Sequence, residues 1–420
     1  MSFLKCGICG TNSIPTDSKV SKYKERTFDV IDNRVAVRQN SIANTNQVVF
    51  NVLSMDKDPQ HYSFLTVMGT GCFQAATVYL ARHLPSDNLV AVKIIRMDEV
   101  KVEFNTIQNE LTMHKTLRHP NLLPCLDSSF VHGNDVWTIF PLMGFGSCRD
   151  LIDAHFHSGL PELAIAYVLQ DVLSALDYLH QHGLIHRAVK ASHVLIASSG
   201  QVVLSGFHHM LHMNVDGKRN RAVFDFPDHF ESCLNWASPE LLEQNLAGYD
   251  TKSDIYGLGI LICELANGIV PFSDVPATQM LLEKMEGRTP NLLDSTTWTD
   301  NTTTEQGADE RPVPSFGQRT LSPHLHNLVE QCLQTDPGLR PSAAILLQHA
   351  FFRQVRRKSG LEVLPDLLQP ITPLDLQDLS ALKKKAEDRA AAANNSDAPA
   401  VDEVTQQIGD VAINNEEWSF

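Results

Sequence analysis

The chain has 420 residues, enough for one large two-part domain with tails, and its 43% hydrophobic and 20% charged residues are ordinary globular composition. A net charge of -15 argues against nucleic acid or an anionic membrane as the main partner, since both select a basic face. No apolar run reaches the length of a membrane span, no signal peptide opens the sequence, and Ser2 stands where N-myristoylation requires glycine. Eight cysteines without a framework spacing fit a reducing compartment, so the expectation is a cytoplasmic and nuclear protein. Cys6-Gly7-Ile8-Cys9 is a lone C-x-x-C without the second pair that a zinc site needs, and reads as two free thiols in a tail.

Residues 1–60 are polar without sustained periodicity and are expected to be a disordered tail. From Tyr62 the pattern tightens. Phe64–Met68, Thr77–Ala81 and Leu89–Ile95 read as strands between turn-forming residues, and Val102–Leu117 has helical spacing stopped by His119-Pro120-Asn121. Leu122–Leu126 and Val136–Pro141 are two further strand candidates. Pro161–His182 is amphipathic and ends at Gly183, a good helix-terminating residue; short apolar runs follow at Leu184–Ile196 and Gln201–Leu204, and helices dominate beyond Pro239. This order predicts an α+β bilobal fold: a small β-rich lobe with one helix, a larger helical lobe, and a cleft between. The domain is expected over 61–352, with a flexible insertion at 289–320 and a flexible tail over 353–420 ending in an acidic, aromatic stretch.

Motifs then fall at telling intervals. Met68-Gly69-Thr70-Gly71 ends a strand as the glycine-rich loop over a nucleotide's phosphates does, although a plain hairpin turn explains it as well. Val78 lies nine positions after Gly69, further than that loop places its valine. Val90-Ala91-Val92-Lys93 matches the strand presenting a lysine to the α- and β-phosphates, and Glu110, seventeen residues on, stands where its carboxylate partner belongs. His186-Arg187-Ala188-Val189-Lys190-Ala191-Ser192-His193 is a kinase catalytic loop with its chemistry removed. Ala188 replaces the aspartate that accepts the substrate proton, and His193 replaces the metal-binding asparagine. Thirteen residues beyond His193, Gly206-Phe207-His208 stands where a magnesium-holding carboxylate should begin the triplet. Ser238-Pro239-Glu240, Ser253-Asp254-Ile255-Tyr256-Gly257 and Arg340 match positions that are structural in kinases, Asp254 capping the catalytic loop and Arg340 pairing with Glu240. The sequence thus resembles a protein kinase whose scaffold is kept while three chemical positions are changed. General-base catalysis alone is worth about 10²–10⁴ in rate, so no efficient phosphoryl transfer is expected. A weakly active serine/threonine kinase with atypical metal use is the alternative.

Nucleotide binding is a separate expectation. Met68, Val78, Ala91 and Leu195 are expected to line an adenine slot, with Phe140 at its back, the Met143 backbone as the hinge contact, and Gly69 and Gly71 over the phosphates. Lys93 and Lys190, with His193 and His208, are expected to gather cationic charge around the triphosphate of ATP, bound unhydrolysed and without a need for magnesium.

Leu80-Ala81-Arg82, the stretch His186 to His193, Leu204-Ser205-Gly206, Tyr249–Tyr256 and Pro276–Lys284 together resemble the STRAD family, the sterile-twenty-related adaptor pseudokinases. The resemblance implies an adaptor that activates a liver kinase B type serine/threonine kinase by engaging it as a pseudosubstrate. It also implies an armadillo-like scaffold of the mouse-protein-twenty-five family, which reads a C-terminal Trp-Glu-Phe. Here the chain ends Trp418-Ser419-Phe420, so both aromatic anchors, Trp418 and Phe420, match and the middle residue does not.

Overall fold

The computed structural model describes residues 57–71, 76–97, 104–125, 129–215, 217–244, 247–297 and 316–378. Strands β1 (Tyr62–Gly71), β2 (Ala76–His83) and β3 (Asn88–Arg96) form from β-branched and aromatic runs. With β4 (Ser129–His132) and β5 (Asp135–Pro141) they make one antiparallel sheet of order β1-β2-β3-β5-β4. Helix α1 (Phe104–Thr116) packs Ile107 beneath it, against Ala76, Ile95 and Val136. The opposite face is closed by an aromatic group in which Phe64 meets Tyr79 and Trp137 at ring separations of 4.9 and 5.5 Å.

Beyond the hinge, β6 (Gly146–Ser147) leads into α2 (Cys148–Ala154), capped by a Ser147–Asp150 capping box. α3 (Glu162–Gln181) follows, then the short strands β7 (Leu184–Ile185), β8 (Val194–Ile196) and β9 (Val202–Leu204), which frame the catalytic-loop region. α4 (Pro239–Glu243), α5 (Lys252–Asn267) and α6 (Ala277–Met285) come next, then α7 (Pro323–Cys332), α8 (Ala343–Leu346) and α9 (Gly360–Leu367). Every residue of α5 after its first is buried, as its nearly continuous apolar circumference requires, and α3 packs against it in the same core. Among the described residues no helix is long and apolar enough to cross a membrane.

The expected α+β arrangement of two lobes is the one found. Three expected boundaries need correction. Leu122–Leu126 is not a strand: the described part pairs only at Leu122, in an isolated bridge to Leu204 made by Leu123 N–H to the Leu204 carbonyl and Leu204 N–H to the Asn121 carbonyl, both 2.9 Å, and no ladder extends because β9 ends at Leu204. The insertion at 289–320 is too wide. Leu292 and Phe316 are buried in the larger lobe, and Asp294 accepts bonds from Leu321 N and His326 Nε2, both 3.0 Å; only 298–315 lies outside the described residues. Nor does the fold stop at 352. Ser359 caps α9, whose Leu364 is fully buried together with Leu368, so 353–378 is a packed part of the lobe rather than tail. Residues 1–56 and 379–420 lie outside the described residues.

Candidate functional site

The expected adenine-slot residues come from five strands and the hinge and meet in one place. Met68 on β1, Val78 on β2, Ala91 on β3, Phe140 at the end of β5, Met143 in the hinge and Leu195 on β8 are all buried in a single apolar cluster. The hinge turn is closed by Gly146 N–H donating to the Met143 carbonyl at 2.9 Å. Gly69 pairs with Val78 and Gly71 with Ala76, so both glycines lie in the hairpin arms, and the tip between them, 72–75, lies outside the described residues.

Strand β3 and helix α1 bring Lys93 and Glu110 together, Nζ lying 2.8 and 3.0 Å from the two carboxylate oxygens with both side chains buried. Burial pushes the Glu110 carboxyl up, but Lys93 foremost and the His114 hydrogen bond outweigh it and hold it well below the usual carboxylate range. His114 also stacks its ring 4.9 Å from Phe140 and 4.6 Å from Phe207, so α1 ties the sheet to the Gly206-Phe207-His208 triplet. Asn109 Nδ2 donates to the Met210 carbonyl at 3.0 Å on the same seam.

The catalytic-loop segment is held from below by α5. Asp254 accepts the backbone N–H groups of His186 and Arg187, each at 2.8 Å, and the His180 ring at 2.8 Å. This is the capping role expected of it. Arg187 takes a positive φ of 66°, an uncommon conformation for a side-chain-bearing residue that this double bond stabilises. His186 donates from Nε2 to the Ser205 carbonyl at 2.9 Å and accepts from Ala188 N–H at Nδ1, 3.3 Å, which is the pattern of a neutral ring. Burial lowers its pKa to about 4.

Ala188 is fully buried and presents only a methyl group; its carbonyl accepts the Nδ1–H of His193 at 2.8 Å. Gly206 has φ 81°, and a Cβ there would lie 2.6 Å from Cγ and Cε1 of His193. The imidazole of His193 therefore occupies the space into which a side chain at 206 would project. Magnesium takes hard oxygen donors in octahedral geometry, and neither a glycine nor this ring provides one. The residues at 188, 193 and 206 do not fit a kinase metal site.

His208 packs edge-to-face on His193 at 5.7 Å. The expectation that these two rings add positive charge needs correction: burial first, then the Lys190 cation, hold His193 well below its ordinary pKa, and burial lowers His208 to about 3. Both are neutral at physiological pH. Cationic charge in the cleft comes from Lys93 and Lys190. The Lys190 ammonium lies 3.4 Å from the Ser232 carbonyl and 5.6 Å above the Trp236 ring, so it faces the segment that follows the triplet.

That segment, Lys218–Trp236, is held by contacts that spacing did not reveal. Arg187 lies 2.5 Å from Asp225, donates to the Tyr249 hydroxyl at 3.0 Å and bonds the His209 carbonyl. Tyr249 in turn donates to the Asp225 carbonyl at 2.5 Å. Farther along, the Lys284 ammonium is buried and donates to the carbonyls of Leu234, Asn235 and Ala237 at 3.2, 2.7 and 2.8 Å, with burial lowering its pKa to about 7. Glu240 pairs with Arg340 at 2.6 and 2.9 Å. Flanking Asp225, Phe224 and Phe226 are exposed. The only sequence signal for Asp225 is a carboxylate between two aromatics, too common to single out. Trp418 and Phe420 lie outside the described residues.

These landmarks coincide with a match to the protein kinase domain over residues 62–352, so the chain carries that domain. It is similar to STE20-related kinase adapter protein alpha of Bos taurus, 47% identical over 334 residues covering 74% of this chain and 89% of the relative. The Homo sapiens protein of the same name is 47% identical over 339 residues, covering 74% and 77%. STE20-related kinase adapter protein beta of Mus musculus is 35% identical over 407 residues, covering 89% and 96%. The chain belongs to the STE20-related kinase adapter family.

Proposed function

We propose that this chain is a catalytically inactive adaptor that binds ATP without hydrolysing it and allosterically activates a serine/threonine kinase of the liver kinase B type. An armadillo-like scaffold that reads Trp418 and Phe420 completes the assembly, which works in the cytoplasm and nucleus. One contrast carries the reading. The ion pairs and caps that hold a kinase in its closed form are intact at Lys93–Glu110, Asp254 and Glu240–Arg340. The positions that would move a proton or hold a metal carry Ala188, His193 and Gly206, the last obstructed by its neighbour's ring. A protein that keeps the conformation and drops the chemistry signals through its surface.

The cleft residues suit a nucleotide in their chemistry: apolar side chains from both lobes to sandwich a base, and two lysines to meet phosphate. The test is ATP titration with and without magnesium, followed by a phosphate-transfer assay. A ligand at 100 times its Kd stabilises the native state by about 2.7 kcal/mol, so the expected outcome is a raised Tm that does not depend on magnesium, with no phosphate transferred. Transfer that disappears in Lys93→Met would overturn the proposal.

A further inference from the structure

After α9 the chain returns to the cleft. Leu368 is fully buried and Ile371 packs on the core of the larger lobe, which anchors the segment on one side. On the other, Leu374 N–H donates to the carbonyl of Gly144 at 2.8 Å, the residue that follows Met143 in the hinge. Asp375 accepts the hydroxyl of Ser198, on the turn between β8 and β9. Gly144 has no room for a side chain: a Cβ there would collide with Ser198 and Asp375 and come within 3.1 Å of Pro373. The Leu374 side chain packs against the buried cluster that contains the slot residues, Met143 and Leu195 among them. Leu376, two residues on, faces water at 71% exposure.

We infer that Pro373–Asp375 is the outer wall of the nucleotide slot and that Leu374 is one of its base-contacting residues. The inference rests on the nucleotide-binding reading above. Leu374 is half-buried, whereas the cluster it packs against is nearly inaccessible, so it sits at the rim and not in the centre. A base entering between the lobes keeps Leu374 as an apolar contact at its hinge edge, and the strap limits its escape. Affinity then depends on a segment outside the two lobes' own cleft residues, and most of that dependence falls on dissociation.

The experiment measures ATP affinity by calorimetry, and dissociation of a fluorescent ATP analogue by stopped flow, in wild type, Leu374→Ala, Ser198→Asp and Leu376→Ala. Ser198→Asp sets a carboxylate against Asp375 and releases the strap by like-charge repulsion without touching a slot side chain. We expect about tenfold weaker binding and faster dissociation in both strap variants, and no change in Leu376→Ala. Melting without nucleotide reports whether each variant folds, and Ser198→Asp alone decides the matter if Leu374→Ala does not. Unchanged affinity in the strap variants beside a wild type that binds overturns the wall while leaving nucleotide binding standing. Tighter binding, or binding only in the strap variants, overturns it as well, because the segment is then a plug. Binding in no form removes the nucleotide reading and the wall together.

Discussion

His193 and Gly206 act as one unit, and the order of causes runs from the histidine to the glycine. The ring is fixed by its Nδ1–H bond to the Ala188 carbonyl, and its face then fills the space beside Gly206. Restoring the missing acid alone should therefore fail. Gly206→Asp adds a Cβ against a ring and places a side chain at a left-handed φ, effects worth roughly 1–3 kcal/mol each. We expect a clear fall in Tm for Gly206→Asp and partial recovery in Gly206→Asp/His193→Asn, measured as a double-mutant cycle by differential scanning fluorimetry. Equal stability of the single variant and wild type would sink the steric account. The buried rings also make a pH signature. His186 at about 4 and His208 at about 3 lie below the ordinary value near 6.5, so the unfolded chain takes up their protons first as pH falls. Their contribution is complete above pH 6.5 and is lost progressively towards pH 4 and below. Asp150 and Asp171, raised by burial to about 6 and about 7, run the opposite way because the folded state protonates first. The informative quantity is thus a difference. His186→Gln should flatten the fall of stability between pH 6 and 4 by up to about 1.4 kcal/mol per pH unit relative to wild type. Parallel profiles from denaturant titrations across that range would show that His186 does not stay neutral in the fold.

At the scale of elements, the segment Lys218–Trp236 is held by a carboxylate of its own. Asp225 meets Arg187, which α5 positions through Asp254. Asp225 is half exposed, and such a pair is worth about 1 kcal/mol or less. Asp225→Ala should speed amide exchange in this segment about fivefold, by hydrogen–deuterium exchange mass spectrometry, with little change in global Tm. Unchanged exchange there would mean that Lys284 and Tyr249 suffice to order it. This contact also marks where legibility in the sequence ends. Strands β1, β2, β3 and β5 and helices α1 and α3 were legible because their apolar periods match their burial. Lys93, Glu110, Ala188, His193 and Gly206 were legible because they fall at positions of motifs that the chain shares with protein kinases. Leu122–Leu126 misled because a short apolar run reads alike as a strand or a buried loop. The strap and α9 were hidden by Pro365, Pro370 and Pro373, which read as helix breakers, and by a docking partner, Gly144, far away in the chain. The charge states of His193 and His208 were illegible for another reason: they follow from burial, which spacing does not report.

At the scale of the whole molecule, a buried ion pair fixes α1 to the sheet of the smaller lobe beside the cleft, and here the proposed adaptor role separates from catalysis. Lys93→Met leaves the Glu110 carboxylate buried without its cation, and breaking such a pair costs about 3–5 kcal/mol. Replacing both partners by apolar side chains of similar volume is often neutral or stabilising. The comparison of Lys93→Met with Lys93→Met/Glu110→Leu therefore distinguishes conformation from chemistry. If the closed lobes are the signal, the single variant melts earlier and activates the partner kinase less, and the double variant regains both. If the lysine matters only for a phosphate contact, the double variant regains stability but not activation. The dose dependence supplies the second measurement. An adaptor that works by contact should bring its partner to full activity at about one equivalent, since each bound copy shifts one partner molecule towards its competent state. A catalyst would need far less and would leave phosphate on the client. Full activation by a small fraction of an equivalent, with phosphate on the client traced to this chain by omitting it, would end the adaptor reading. Saturation at one equivalent, with activation rising and falling with lobe stability across the two variants, is the outcome expected from a cleft that keeps Lys93–Glu110 and Asp254 in place around an alanine.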